Sequence, residues 1–476
     1  MPTESASWRV GVTAGLAGLA AAETVAAVRG RSSLLDAAGR LVVDAGPRPL
    51  IDVVVRLLRS SDKSVVRGAT AGATLLLGGG MARVPIPQAG RMAAVAAGTG
   101  IAAWAGLRRP PRRPVQTLST AAAGGLAAAA VLAAGGARRL DAAVLAVSGA
   151  ALWGSRRRLR HLESRFDVDN QHRMNDLRRG AAPQTVAGVA ITPTQRFYAV
   201  DVNVGTPLLD ADSWRLELFG DVERPRNWTL EQLAEIGLEE FEAVMVCVHN
   251  QLGWTRLGNA QWLGVPLSTL LDRAGVSSDA TTLVTRAVDG YTISLPLEVL
   301  RRMPGYLVVG MNGTSLPARH GFPARVFVPG LYGQYTGVKW VTQLQVTTGP
   351  HADYWAKRGW PRESVLIRPM SRIDSPRDGA SVTGSVKVAG VAWAPPLGLA
   401  RVEIAVDDAD WEPADLAPER TPTAWRQWTY TIDLPAGEHQ VRTRAVSADG
   451  TVQDATPRPP FPSGVSGHHT ITVTVP

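Results

Sequence analysis

Apolar runs separated by arginines dominate the first 160 residues, and they limit the folds open to this part of the chain. Ala, Gly, Leu and Val make up most of each run, and the charges lie between the runs instead of at helical spacing within them. A soluble amphipathic helix needs a polar face, and this pattern provides none. A membrane-inserted helical region is therefore favoured over the alternative, a soluble Ala-rich helical domain.

The lengths of the runs predict about five membrane spans. The five candidate spans are Val10–Val28, Val65–Ile86, Met92–Leu107, Val115–Ala137 and Leu140–Ser155. Ile51–Leu58, before the second run, is typical of a helix that lies in the membrane interface. Glu23 lies inside the first span, where an acid is either functional or close enough to Arg29 to reach the interface.

Charge is unevenly divided along the chain. Residues 1–180 contain 25 Lys and Arg against 11 Asp and Glu, a net of +14, whereas the remainder carries a net of −5. The basic excess therefore flanks the apolar runs, where it suits contact with membrane lipid. The globular part has no sign of the basic patch that nucleic-acid binding requires, so we exclude a nucleic-acid partner.

The arginines give two opposite indications of the side of the membrane on which the globular domain lies. Those in the loops favour a cytoplasmic globular domain by the positive-inside rule. However, the pair Arg138-Arg139 directly precedes the fifth run and resembles a twin-arginine export signal, a route for folded proteins. We predict a multi-pass protein of the cell membrane with its globular domain on the extracytoplasmic side.

Cys247 is the only cysteine in 476 residues. The apolar run Ala243–Val246 predicts a strand that leads to it, a turn rich in Asn, Gly and Trp follows, and Val265–Leu271 reads as the start of a helix. A lone cysteine is most often a small buried hydrophobe, and the alternative is a thiolate ligand for a metal. One cysteine excludes internal disulfides and all-cysteine iron–sulfur sites.

Two long motifs resemble those of a known enzyme family. The segment Phe241–Leu267, with Cys-x-x-Asn and then Gly-Asn-Ala-x-Trp-x-Gly-Val-Pro-Leu, resembles the molybdenum-ligand segment of the sulfite oxidase family of molybdopterin enzymes. The segment Arg319–Trp340 resembles that family's cofactor-phosphate segment. The motifs occur in family order, and the resemblance, which extends from roughly Pro193 to Pro476, favours the membrane-attached bacterial branch over the haem-carrying animal branch.

Composition and resemblance together predict a multi-domain chain. Residues 1–160 form the transmembrane helical region, 161–192 a linker, 193–365 an α+β catalytic domain of the sulfite oxidase type that binds molybdopterin, and 366–476 an immunoglobulin-like β-sandwich. The resemblance implies that the sandwich pairs two subunits into a homodimer. The predicted helices of the catalytic domain are Thr229–Ile236 and Pro266–Ala274, and its predicted strands are Trp214–Phe219, Thr282–Ala287, Tyr306–Met311 and Arg325–Val328. The predicted strands of the sandwich are Ser385–Trp393, Arg401–Asp407, Trp425–Leu434, Gln440–Val446 and His469–Val475.

The resemblance also implies the roles of individual residues. Cys247 is the expected catalytic residue and metal ligand. The expected cofactor-binding residues are Phe197, Tyr198, Cys247, His320, Arg325, Gly337, Val338 and Lys339. An imidazole and a guanidinium fork five residues apart are suited to a buried phosphate. His249, two residues after the cysteine, either lines the substrate funnel or only packs against neighbouring side chains.

The substrate is less well defined than the cofactor. Sulfite-oxidising members carry an arginine shortly after the Phe-Tyr pair, whereas this chain continues with Ala199-Val200-Asp201. The implied reaction is oxygen-atom transfer at a cysteine-ligated molybdenum, either the oxidation of a sulfite-like anion or the reduction of an S-oxide or N-oxide. The substrate is accordingly a small oxo-acceptor or oxo-donor.

The sequence offers no second redox centre. All eight histidines lie beyond residue 160, so the predicted spans contain no pair for a haem, and there is no Cys-x-x-Cys-His motif. An external electron-transfer protein or quinone is therefore expected as partner. The rival hypothesis is a non-catalytic membrane docking or assembly protein with a degenerate cofactor domain, and the joint presence of Cys247, His320, Arg325 and Lys339 argues against it.

Overall fold

The structure, a computed structural model, describes residues 191–476 except 203–205 and 361–365, together with Ala20 and scattered helical residues between 148 and 170. The five predicted membrane spans lie outside the described residues, apart from Ala20 and a few positions of Leu140–Ser155. Within the described part of the chain, no helix is long and apolar enough to cross a membrane. The chain divides into two compact units, and the larger one, which comprises 170–200, 209–287 and 291–476, contains all the elements described below.

Residues 209–360 of this unit form ten strands and four short α-helices, with 3-10 helices at Ala318–His320 and Ala356–Arg358. The strands are β1 (Leu216–Gly220), β2 (Arg226–Trp228), β3 (Glu239–Val246), β4 (Leu257–Pro266), β5 (Thr282–Ala287), β6 (Thr292–Pro296), β7 (Tyr306–Met311), β8 (Thr314–Ser315), β9 (Arg325–Phe327) and β10 (Val341–Thr347). The helices are α1 (Leu230–Ile236), α2 (Leu267–Ala274), α3 (Leu297–Arg302) and α4 (Gly333–Thr336). The expected mixture of strands and helices is confirmed here, with strands in excess.

The strands form two sheets. One has the order β2-β1-β10-β5-β6, in which β1 and β10 are parallel and the other neighbours antiparallel. The other has the order β3-β4-β7-β8, with β9 also paired to β7, and is antiparallel. In the second sheet β3 is an edge strand, and it ends one residue before Cys247.

Helix α1 begins as its sequence predicts. The Thr229 hydroxyl accepts a hydrogen bond from the Gln232 backbone N–H, and the Gln232 side chain accepts one from the Thr229 N–H. This reciprocal capping box satisfies two donors that a helix start otherwise leaves without partners. The predicted helix at 266–274 is also confirmed, with Pro266 preceding its first residue.

No strand was predicted at residues 257–264, and the helix start predicted at Val265 comes two residues too early, because α2 begins at Leu267. These residues belong to β4, a ten-residue strand. Strand β4 lies between β3 and β7, and eight of its ten residues are buried. A strand covered on both faces lacks the apolar–polar alternation by which strands are recognised in sequence, so its pattern could not be separated from that of a buried helix start.

Residues 370–476 form two sheets that pack face to face. The strands are β11 (Met370–Ser375), β12 (Ala380–Ser381), β13 (Ser385–Trp393), β14 (Leu399–Val406), β15 (Glu412–Pro413), β16 (Asp415–Leu416), β17 (Arg426–Asp433), β18 (Gly437–Ser447) and β19 (His469–Val475). One sheet has the order β11-β13-β17-β16 and the other β12-β19-β18-β14-β15. Inward side chains of both sheets, among them Val388, Val402 and Trp428, form one apolar core. All five predicted strands are present within three residues of their predicted ends.

Candidate functional site

Cys247 lies at the first position of the connection between β3 and β4 and is 7% exposed. Its N–H donates to the Arg256 carbonyl across the hairpin, at 3.0 Å, and its own carbonyl accepts from the Asn250 N–H at 2.9 Å. The Asn250 side-chain oxygen accepts from the Arg256 N–H at 2.8 Å. Asn250 therefore closes the turn that presents the thiol, which accounts for the Cys-x-x-Asn spacing.

The three predicted phosphate-binding side chains are brought together. His320, Arg325 and Lys339 are 1%, 4% and 7% exposed. Gly321, at φ +113°, lies between two of them, since a Cβ added there would be 3.0 Å from Lys339 Cβ and 3.2 Å from Arg325 Cβ. Only glycine provides both this backbone conformation and the space for the close approach.

Arg325 is a buried cation with an incomplete set of partners. Its Nη1 donates to the His320 carbonyl at 3.2 Å, and its Nη2 lies 3.3 Å from Met245 Sδ on β3. Its Nε has no hydrogen-bond partner among the described residues, and burial lowers the pKa of the guanidinium to about 10. A buried, uncompensated cation is costly in free energy, and a phosphate would satisfy both its charge and its vacant N–H. The residues present therefore fit the expected anionic end of molybdopterin.

The side chains of Lys339 and His320 are oriented by backbone carbonyls. Lys339 Nζ donates to the Arg319 carbonyl at 2.8 Å and lies 4.6 Å from the centre of the Trp340 ring. His320 Nε2 is 3.2 Å from the Thr194 carbonyl, so the neutral ring carries its hydrogen on Nε2 and donates it there. Nδ1 is then the nitrogen that can take up a second proton beside an anion.

Phe197 and Tyr198, the expected aromatic cofactor contacts, lie in the same region. Phe197 is fully buried, and its ring packs edge-to-face against Trp262 and His320. The Tyr198 ring stacks on Phe197, and its hydroxyl would be 3.2 Å from a Cβ added at Gly333. Burial, followed by the nearby Cys247, raises the pKa of Tyr198 well above its usual value, so the phenol stays protonated.

Gly337 and Val338 contribute backbone to this site. A Cβ added at Gly337 would be 2.4 Å from the Gly333 carbonyl oxygen and 3.5 Å from Arg325 Nη2. The Val338 carbonyl accepts a hydrogen bond from the Val326 N–H at 2.9 Å. The segment therefore runs directly beside the Arg325 guanidinium.

Two residues of the site were missed by the sequence analysis. Tyr332 is buried, its hydroxyl accepts from the Arg368 N–H at 3.4 Å, and burial raises its pKa to about 12, with a smaller contribution from Cys247. Gln334 is 8% exposed, its Nε2 donates to the Pro462 carbonyl, and its Oε1 has no partner among the described residues. Both lie inside the motif at 319–340, but the resemblance gave neither a role.

His249 forms part of an aromatic cluster beside Cys247. Its ring stacks on Phe461 with centroids 6.1 Å apart and meets Trp360 edge-on at 6.0 Å. Trp360 packs edge-to-face on Phe461 at 4.1 Å and contacts Trp355 at 4.2 Å. Phe461 precedes β19 of the sandwich, so no local sequence signal could have placed it beside the cysteine turn.

Acidification is expected to destabilise the cofactor-free protein through His320. Burial, with smaller contributions from Arg319 and Arg325, lowers the pKa of His320 from 6.5 to about 3. The unfolded chain therefore binds a proton that the folded chain does not, so the free energy of unfolding falls as the pH drops from 6.5 towards 3. Thermal unfolding at about pH 7.5 and about pH 4.5 should show a larger loss of melting temperature for the wild type than for His320→Gln. Equal losses would contradict this assignment.

Known proteins that bind molybdopterin are similar to this chain in the region of the site. Residues 203–355 match the family model described as the oxidoreductase molybdopterin binding domain. The chain is 31% identical over 151 residues to the uncharacterized oxidoreductase YuiH of Bacillus subtilis, covering 32% of this chain and 74% of that protein. It is 32% identical over 152 residues to the putative protein-methionine-sulfoxide reductase subunit YedZ1 of Azospira oryzae, covering 32% of this chain and 56% of that protein.

In two other proteins the similarity covers a larger share of this chain. Mitochondrial sulfite oxidase of Homo sapiens is 27% identical over 333 residues, covering 58% of this chain and 60% of that protein. The sulfane dehydrogenase SoxCD of Paracoccus pantotrophus shares the fold, with a TM-score of 0.52 and 24% identity over 60% of this chain and 84% of that chain. With its matching motifs, its family model and these relatives, the chain belongs to the sulfite oxidase family of molybdopterin-dependent oxidoreductases, and molybdenum cofactor is the cofactor of this family.

Proposed function

We propose that the chain catalyses oxygen-atom transfer at a molybdenum ligated by the Cys247 thiolate. The observation that carries this proposal is the contact between Arg325 and β3: a buried guanidinium with a vacant N–H lies 3.3 Å from Met245, two residues before the cysteine. The guanidinium of the anion site therefore lies against β3, the strand that leads to the thiol.

The chain's own residues bind, orient and shield the cofactor. When bound, molybdopterin supplies the metal centre that exchanges an oxygen atom and two electrons with the substrate. His320, Arg325 and Lys339 hold its phosphate, and their burial keeps water from competing for that anion. Tyr198 and Tyr332 remain protonated at neutral pH and keep hydroxyl hydrogens available close to the thiolate.

The substrate favoured by this site is an organic S-oxide. The groups around the cysteine turn are aromatic (His249, Trp360 and Phe461), and they suit an apolar substituent on sulfur better than a bare oxyanion. The absence of an arginine in Ala199-Val200-Asp201 weakens the case for sulfite. The name of the Azospira relative, a putative protein-methionine-sulfoxide reductase subunit, supports the same direction. Oxidation of a sulfite-like anion is the second candidate, supported by the mitochondrial relative.

The remaining parts of the proposal come from sequence. The apolar runs of residues 1–160 would anchor the enzyme in the cell membrane, with the catalytic domain on the extracytoplasmic side. An external electron-transfer protein or quinone would reset the metal. The carboxyl-terminal sandwich, which we propose to be immunoglobulin-like, would pair two subunits. An integral membrane protein is released from membranes only by detergent. Release of the full chain by an alkaline wash without detergent would therefore refute the anchor.

Metal and activity measurements on the detergent-purified full chain test this function. We expect about one molybdenum per chain, as a single thiolate ligand implies, and a Mo(V) paramagnetic signal after mild reduction. Dimethyl sulfoxide with a reduced dye should turn over faster than sulfite with an oxidised dye. The reverse order would establish sulfite oxidation instead. Metal-free protein from cells that load another molybdopterin enzyme would favour the non-catalytic docking protein.

A further inference from the structure

The carboxyl-terminal sandwich covers the open edge of the strand that leads to Cys247. Strand β3 is at the end of its sheet, so one side of its backbone needs partners from elsewhere. The Val244 N–H donates to the Thr423 carbonyl at 2.9 Å, and the Thr423 hydroxyl donates to the Glu242 carbonyl at 2.6 Å. Thr423 lies in the connection between β16 and β17, so this loop of the sandwich extends the catalytic sheet.

A buried carboxylate strengthens the same contact. Glu242 is 9% exposed; its Oε1 accepts from Asn259 Nδ2 at 2.7 Å and its Oε2 lies 3.0 Å from Arg420 Nε. Asn259 belongs to β4 and Arg420 to the sandwich. One carboxylate on β3 therefore joins both strands of the cysteine hairpin to the neighbouring domain.

Arg372 of the sandwich contacts the hairpin after the cysteine. Its Nη1 donates to the Trp254 carbonyl, in the connection after Cys247, at 2.9 Å. The guanidinium is itself fixed by both carboxylate oxygens of Asp374, at 2.6 and 3.2 Å, and its side chain is 11% exposed. A planar guanidinium held by two hydrogen bonds along its Nε–Nη2 edge has a fixed orientation for its third contact.

A histidine of the sandwich packs on the same connection. Gly253 has φ +73°, and a Cβ added there would be 2.3 Å from His469 Nε2. His469 Nδ1 accepts from the Ile373 N–H at 3.0 Å, which fixes the ring against the loop. Only glycine at 253 permits this approach, so the loop and the sandwich are fitted to each other in shape.

We propose that the carboxyl-terminal sandwich is a clamp that sets the position of the Cys247 sulfur, with Thr423 and Arg372 as its positioning residues. The inference rests on the proposed role of Cys247 as metal ligand. Thr423 contacts the hairpin before the cysteine, and Arg372 contacts it after the cysteine. Because a ligand misplaced by about 1 Å can cost a reaction about a hundredfold, the sandwich contributes to catalysis without contacting substrate or cofactor.

Four variants of the full chain test the clamp. Arg372→Met removes the loop contact, and Arg372→Lys restores a donor. Thr423→Val removes only the hydroxyl from the edge contact and preserves side-chain shape. Arg401→Met is the matched control, because Arg401 belongs to the sandwich but pairs with Glu403 of the same strand.

In the loaded enzyme we expect the clamp variants to keep their molybdenum and their KM. Their kcat should fall about 10- to 100-fold, and their Mo(V) signal should broaden or split because the sulfur takes more than one position. Arg372→Lys should recover most of both properties, and Arg401→Met should match the wild type. A wild-type signal and kcat in Thr423→Val and Arg372→Met would overturn the proposal. If Arg372→Met fails to fold, the kcat and the Mo(V) signal of Thr423→Val alone test the proposal.

The single thiol gives a second readout that needs no metal. In full-length protein prepared without cofactor, Cys247 should react slowly with a thiol reagent, and both clamp variants should react about tenfold faster at unchanged unfolding midpoint. Labelling rates equal to those of Arg401→Met would overturn the clamp. A wild-type protein that holds no molybdenum but shows the expected labelling pattern would refute the proposed function while leaving the clamp intact.

Discussion

Replacing Arg325 by methionine is expected to remove most of the molybdopterin from the purified protein and to stabilise the cofactor-free fold. Arg325 has no carboxylate partner among the described residues, and its Nε has no acceptor there. A well-packed apolar side chain in place of a buried charge is often neutral or stabilising by about 1–4 kcal/mol. The loss of a charge-assisted bond to phosphate, in contrast, costs about 1.5–3 kcal/mol, or roughly 10- to 100-fold in affinity.

The two opposite effects make this prediction specific. Pterin and molybdenum content per chain measure cofactor retention, and thermal unfolding of the cofactor-free protein measures stability. Arg319→Met is the matched control, since Arg319 is exposed and the same charge is lost six residues away. Full cofactor content in Arg325→Met, or a marked fall in the melting temperature of its cofactor-free form, would show that the guanidinium has a structural role only.

Replacing Cys247 by serine is expected to abolish turnover and leave the pterin in place. Serine is close to cysteine in size, so the buried site keeps its packing, but a hydroxyl does not supply the soft thiolate that the metal needs. We expect kcat to fall by about a thousandfold or more, equivalent to at least ~4 kcal/mol. Pterin content should stay within about twofold of the wild type, because the phosphate-binding residues are unchanged.

The control for this variant separates lost chemistry from lost stability. Val309→Ala, in the core of the same sheet, should cost roughly 1–3 kcal/mol of stability and leave kcat per molybdenum nearly unchanged. If Cys247→Ser retained wild-type turnover, the cysteine would be a buried hydrophobe, as a lone cysteine most often is.

The predictable part of this molecule is the part encoded locally. The cap at Thr229, the strands at 282–287 and 385–393, and the convergence of His320, Arg325 and Lys339 follow from short patterns or one continuous motif. Strand β4 was missed because burial on both faces removes the alternation that marks a strand. The positions of Phe461, Thr423 and Arg372 could not be predicted from the sequence. They depend on how the carboxyl-terminal sandwich packs on the cysteine hairpin, and no local sequence pattern encodes that packing.

The aromatic cluster around His249 has a consequence for how this enzyme type can diversify. Phe461 is supplied by a connection of the sandwich, whereas the phosphate-binding residues are all supplied by the catalytic sheet and its loops. A substitution at Phe461 can therefore reshape the approach to the thiol while His320, Arg325 and Lys339 keep their own contacts. Under the proposed function, substrate preference could change through Phe461 while the proposed phosphate-binding residues are kept.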